Sequence, residues 1–218
     1  MKVIATGLAL LLACTASRAN DLYGESVFLH PMTPQQLRQL TVAAGDTLAG
    51  ALVVRGQFVQ RRYVRGLPQA LESQGEFLFA QGVGIEWRTR TPVESQITIT
   101  PTGIGQGQGS GPSPRPSGLP PAALPVVARI FFGLFALDFD ALARDFSTFG
   151  EADGDRWRIG LQARRATLAR AFKRVVLAGR SAADTIVLYD AAGGKTEILL
   201  RQLQFDARPL PVAERARF

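Results

Sequence analysis

The chain has 218 residues, a hydrophobic fraction of 46% and a formal net charge of +7, a composition that supports one domain with a sizeable apolar core. The basic residues are nearly all Arg, the lysines being Lys2, Lys173 and Lys195, and they are scattered with only short doublets at Arg61-Arg62 and Arg164-Arg165, so the charge marks no nucleic-acid face. Cys14 is the single cysteine, which excludes disulfides within the chain, and His30, the single histidine, lies beside Pro31 and reads as a surface side chain rather than a catalytic base or a zinc ligand.

Residues 1–19 read as a signal peptide. Lys2 gives the positive start, and Val3 to Ala13 is an apolar run shorter than the ~20 residues that span a bilayer. Ser17-Arg18-Ala19 places small residues at a cleavage site, so cleavage is expected after Ala19. Leu11-Leu12-Ala13-Cys14 offers a second reading, a lipobox in which Cys14 is lipidated and begins the mature chain. Thr33-Pro34-Gln35-Gln36 is a helix start, with a capping Thr, Pro in the first turn and Gln three residues after the cap. Leu37, Leu40, Ala44 and Leu48 follow at helical spacing; Gly45 leaves open one helix or two short ones.

From Leu52 the period changes to two. Strands are predicted at Gly56–Tyr63, Gly75–Phe79, Ile85–Thr89 and Ser95–Thr100, with polar and apolar residues alternating in the last two. Pro101 to Pro125 holds seven of the 13 prolines and six of the 22 glycines, and predicts a flexible loop inside the domain. Leu124 to Phe135 is a helix apolar almost all round, which must be buried or must cover something apolar. Asp138 to Phe149 continues as helix, with Phe139, Leu142 and Phe146 at helical spacing. Strands return at Arg156–Leu161, Phe172–Leu177, Thr185–Tyr189 and Thr196–Leu203, the last two joined by a turn carrying Gly193-Gly194. The tail after Asp206, residues 207–218, is expected to fray. Strands grouped apart from helices give an α+β domain over residues 20–206 with an antiparallel sheet. Asp138 and Asp140 read as helix-start residues and Asp153 and Asp155 as turn residues; none reads as a metal ligand.

The stretch Gly75 to Pro92, GEFLFAQGVGIEWRTRTP, resembles the core motif of the periplasmic lipoprotein carriers, the LolA family. Gly56-Gln57-Phe58-Val59-Gln60, Trp157-Arg158-Ile159-Gly160-Leu161 and the Thr185-to-Leu203 hairpin are similar to its first and later strands, so the resemblance covers most of residues 33 to 206. It implies a half-open antiparallel β-barrel, a curved sheet whose apolar concave face is covered by a helical lid. It implies no cofactor and no chemistry. Family members take triacylated lipoproteins from an inner-membrane transporter and pass them to an outer-membrane receptor of the same fold. One departure is marked: Gln81 and Gly82 stand where the main carriers have an Arg-Pro pair that latches the lid, and Gln lacks a guanidinium's charge-assisted bonds. The chain thus resembles a divergent branch of the family.

The expectation is a non-enzymatic, monomeric periplasmic carrier that binds acyl chains of lipoproteins or other lipidated molecules. Phe58, Phe77, Phe79, Ile85, Trp87, Ile97 and Ile99 are the candidates for the acyl-binding face, and Ile130, Phe131, Phe132, Leu134 and Phe135 for the lid. The same alternating residues also suit an ordinary core. The alternatives are an outer-membrane lipoprotein receptor anchored through Cys14 and a cargo-free accessory module of a lipid or polyene export system. Expected partners are acylated cargo, an inner-membrane transporter and an outer-membrane receptor, with no nucleic acid.

Overall fold

The structure, a computed structural model, describes residues 25–48, 50–100, 103–106, 130, 132–133, 138–170 and 172–218. The signal segment with Cys14 and most of the Pro101–Pro125 stretch lie outside them.

The described chain begins with a 3-10 turn, Glu25–Leu29, and two helices, α1 (Pro34–Leu40) and α2 (Val42–Leu48). Thr33 caps α1 in the full reciprocal box with Gln36. Two helices form rather than one, and the break falls at Thr41, not at Gly45. The Thr41 hydroxyl donates back to the Leu37 carbonyl, a local bond that competes with helix continuation.

Strands β1 (Val53–Tyr63), β2 (Leu71–Ala80), β3 (Gly84–Thr91), β4 (Ser95–Thr100) and β5 (Gly103–Gln106) form one antiparallel meander. After α3 (Phe139–Asp145) a second meander runs through β6 (Phe146–Asp153), β7 (Arg156–Ala163), β8 (Phe172–Gly179), β9 (Ala183–Asp190) and β10 (Lys195–Asp206), with the short helix α4 (Ala166–Ala169) between β7 and β8. Pairing of β1 with β10 joins the halves, so the described strands form one ten-stranded sheet in the order β5-β4-β3-β2-β1-β10-β9-β8-β7-β6. The sheet is antiparallel, curved and open, as the α+β half-open expectation required.

Three local expectations are corrected. The helix expected to reach Phe149 stops at Asp145; Phe146 turns extended, at φ −127° and ψ 146°, and opens β6. The cause is tertiary, because β6 supplies the outer partner of β7 along its whole length. Gly103–Gln106, expected within the flexible loop, pairs with β4. The tail, expected to fray, folds onto the sheet through α5 (Val212–Arg215).

Helices α1, α2 and α3 share one face of the sheet. Leu37, Leu48, Phe139 and Leu142 pack in the same apolar cluster as Phe58, Phe77, Phe79, Ile159, Leu177 and Ile186. Gly150 of β6 makes room there, since a Cβ on it would lie 2.7 Å from the Met32 sulfur and 2.9 Å from Leu40. The opposite, convex face carries two smaller clusters. Val27 and Phe28 of the 3-10 turn cover Val176 and Val187, while Leu210 and Phe218 of the tail cover Val53, Leu78 and Ala80. The N-terminal segment therefore passes from the convex to the concave side around the β6 edge, where Pro31 bridges to Phe149. No helix among the described residues is long and apolar enough to cross a membrane.

Candidate functional site

The alternation of the motif strands places all seven expected acyl-face residues on the helix-covered side. Phe79, Ile85 and Ile99 are register partners in one row across β2, β3 and β4, and Phe77, Trp87 and Ile97 form the next. Phe58 enters from β1 opposite Gly75. Its ring stacks on Trp87 with centroids 3.9 Å apart, and Phe77 flanks the same indole at 6.0 Å. Six of the seven are buried and Trp87 is half-buried. Together they form a continuous apolar wall.

The expected lid is described only in part. Ile130 is buried, Phe132 is half-buried, and residues 130, 132 and 133 are helical. Phe131, Leu134 and Phe135 lie outside the described residues. Phe132 meets Phe79 edge to face, with centroids 5.6 Å apart and planes at 63°, an arrangement that aromatic quadrupoles favour. Gly133 lies against Leu142, closely enough that a Cβ on Gly133 would fall 2.6 Å from the leucine Cγ.

Between this helical segment, α3 and the β2–β3 turn is a cavity of about 310 Å³. Phe79, Phe132, Ala141, Leu142 and Phe146 give it apolar walls; Gln81, Gly82, Asp138 and Asp145 supply its polar groups. Of the seven expected acyl-face residues, Phe79 lines it, and of the expected lid residues, Phe132 does. The other sheet residues pack into the core beside it. The helical spacing of Leu142 and Phe146 was visible in the sequence, but nothing there placed them opposite Phe79.

The β2–β3 turn is where the resemblance noted a missing latch. Gly82 takes φ +71°, which suits glycine, and the Val83 amide donates to the Ala80 carbonyl. Gln81 and Gly82 line the cavity against α3. Asp138 caps α3 by accepting from the Ala141 amide at 2.8 Å. Asp145 is buried and pairs with Arg165 at 3.5 Å.

No family model matches the chain, and no curated protein does. Among solved structures it is similar to a LolA superfamily protein from Nitrosomonas europaea, at 12% identity and a TM-score of 0.45, covering 83% of this chain and 96% of that one. It is also similar to a putative outer membrane lipoprotein-sorting protein domain from Vibrio parahaemolyticus, at 9% identity and a TM-score of 0.38, over 85% of this chain and 98% of that one. A third similar structure is the Pseudomonas aeruginosa MucA/MucB complex, at 12% identity and a TM-score of 0.40, over 77% of this chain and 58% of that one.

Proposed function

We propose that the chain is a non-enzymatic periplasmic carrier that shelters acyl chains of lipoproteins or other lipidated molecules between the concave face of its sheet and its helical cover. The observation that carries this is the cavity bounded by Phe79, Phe132, Leu142 and Phe146, which opens between sheet and helices beside a continuous aromatic wall. Such a site binds by area. Each buried methylene contributes ~0.8 kcal/mol, so an acyl chain is held without specific polar contacts and leaves when the cover shifts. The motif from Gly75 to Pro92 supports the same reading. Transfer partners in this reading are an inner-membrane transporter that loads the carrier and an outer-membrane receptor that unloads it.

The test is binding of a fluorescent acyl amide to the purified full chain. The wild type is expected to bind, and Phe132→Glu, which puts a charge on the apolar wall at a half-buried position, is expected to weaken binding at least about tenfold. A wild type that binds no acyl ligand overturns the carrier function.

A second reading rests on Leu11-Leu12-Ala13-Cys14, which makes the chain an outer-membrane receptor of the same fold. Mass spectrometry of the mature N-terminus from the native host separates the two: a free Asn20 supports the carrier, a diacylglyceryl Cys14 the receptor.

A further inference from the structure

We propose that the cavity takes a single acyl chain whose polar head donates hydrogen bonds, an amide N–H or an ammonium, and that it discriminates against carboxylate or phosphate heads. This rests on the carrier reading and specifies its ligand.

The cavity sorts its lining by exposure. Phe79, Leu142 and Phe146 are buried, whereas Gln81, Gly82 and Asp138 are exposed and form the mouth. An acyl chain entering there leaves its head beside Asp138 and Gln81. Asp138 spends Oδ1 on the Ala141 amide, and among the described residues no cation stands within ion-pair distance of it. The second carboxylate, Asp145, already has Arg165 as counter-charge. Neighbouring arginines are committed elsewhere. Arg38 pairs with Asp140 at 2.8 Å, and Arg164 donates to the Ala143 carbonyl at 3.0 Å. Arg144 lies in the last turn of α3, at the opposite end from Asp138.

An anionic head at this exposed mouth would stand beside a carboxylate with no described cation in ion-pair range and would be repelled by it, an effect that water moderates but does not remove. An N–H donor at the same place gains a charge-assisted hydrogen bond to Asp138 and a second acceptor in the Gln81 amide. The volume, about 310 Å³, lies at the lower end of the roughly 300–1,000 Å³ of small-molecule pockets, which suits one chain rather than several.

The experiment compares three ligands with the same chain, dodecylamine, an N-dodecanoyl glycinamide and dodecanoate, by isothermal titration against the full chain at neutral pH. The amine or the amide is expected to bind at least about tenfold more tightly than dodecanoate, with one ligand per protein. Tight binding of the amine alone assigns a cationic head, and of the amide alone an N-acylated one. Asp138→Asn keeps a good cap for α3 and is expected to remove the preference of amine over carboxylate. Equal or tighter binding of dodecanoate, a preference unchanged in Asp138→Asn, or more than one ligand per protein overturns the proposal while leaving the carrier reading intact. Binding of none of the three overturns the carrier reading itself.

Discussion

Phe58 on β1 and Trp87 on β3 stack with ring centroids 3.9 Å apart even though β2 lies between their strands. Gly75 is the reason. It is the register partner of Phe58 on β2, and a Cβ there would fall 2.9 Å from the Phe58 ring and 1.9 Å from the Arg88 carbonyl oxygen. The motif glycine thus trades a side chain for an aromatic contact that crosses three strands and stiffens the concave wall. Backbone cannot yield as a flexible side chain can, so Gly75→Ala is expected to cost about 1–3 kcal/mol through overpacking. A urea midpoint equal to the wild type's would show that the space is not needed.

The indole of Trp157 closes the other half of the sheet. Its Nε1–H donates to the Arg180 carbonyl at 2.6 Å, tying β7 to the turn that follows β8. Trp157 is buried, so Trp157→Phe leaves that carbonyl without its donor and opens space beside it. A loss of about 1–3 kcal/mol is expected. Chemical denaturation measures it, and faster amide exchange at Ala182 and Ala183 would place the loss at this turn.

Much of this architecture is written in local patterns. Thr33 and Gln36 announce α1, and the alternation in Ile85–Thr89 and Ser95–Thr100 gives both the strand and the face it buries. The failures share one cause, which is that distant partners decided the outcome. Phe139, Leu142 and Phe146 keep helical spacing through a residue that is extended, because β7 draws Phe146 and its successors into pairing. Gly103–Gln106 carries no alternating apolar pattern in the sequence, and its place is decided by pairing with β4. Leu210 and Phe218 read as isolated apolar residues in a charged tail until Val53, Leu78 and Ala80 are seen to lie beneath them. The site divides in the same way. Phe79 and Phe132 were legible as apolar candidates, whereas Asp138 read only as a helix cap, since its place at a cavity mouth depends on the β2–β3 turn more than fifty residues earlier.

Glu72 offers a titration test of the β1–β2 surface. Its carboxylate accepts from the Gln74 side-chain amide and from Arg61 Nε, both at 2.9 Å. These bonds, Gln74 first and Arg61 second, hold its pKa below the ordinary glutamate value. A folded-state pKa lower than the unfolded one gives a contribution to stability that is present above the unfolded value. That contribution fades as pH falls through the folded one. The group is exposed and screened, so the effect belongs in a titration rather than in an energy. Carboxyl-carbon NMR should show Glu72 titrating below ordinary glutamate, and Gln74→Ala should move it upward. A midpoint at the ordinary value in the wild type would mean the two bonds are absent in solution.

The tail makes the sharpest demand. Glu86 sits on the convex side of β3, its side chain only 8% exposed, with Arg217 Nε 3.4 Å from Oε2. That oxygen has no hydrogen-bond partner, so the arginine acts on it as a counter-charge rather than as a bonded donor. Arg217 is steadied by Glu214, which also takes Arg55 at 3.0 Å, and the Phe218 ring lies against Gly84. Removing Arg217 strands a buried carboxylate, the costly half of breaking an ion pair, while removing both charges need not be costly. Arg217→Ala is therefore expected to destabilise the domain by about 1–3 kcal/mol. Glu86→Gln should recover most of that loss in the double variant, giving a clear coupling in a double-mutant cycle. If the two substitutions add without coupling, Arg217 does not stand over Glu86, and the tail is held by Leu210, Phe218 and the Arg55–Glu214 pair instead.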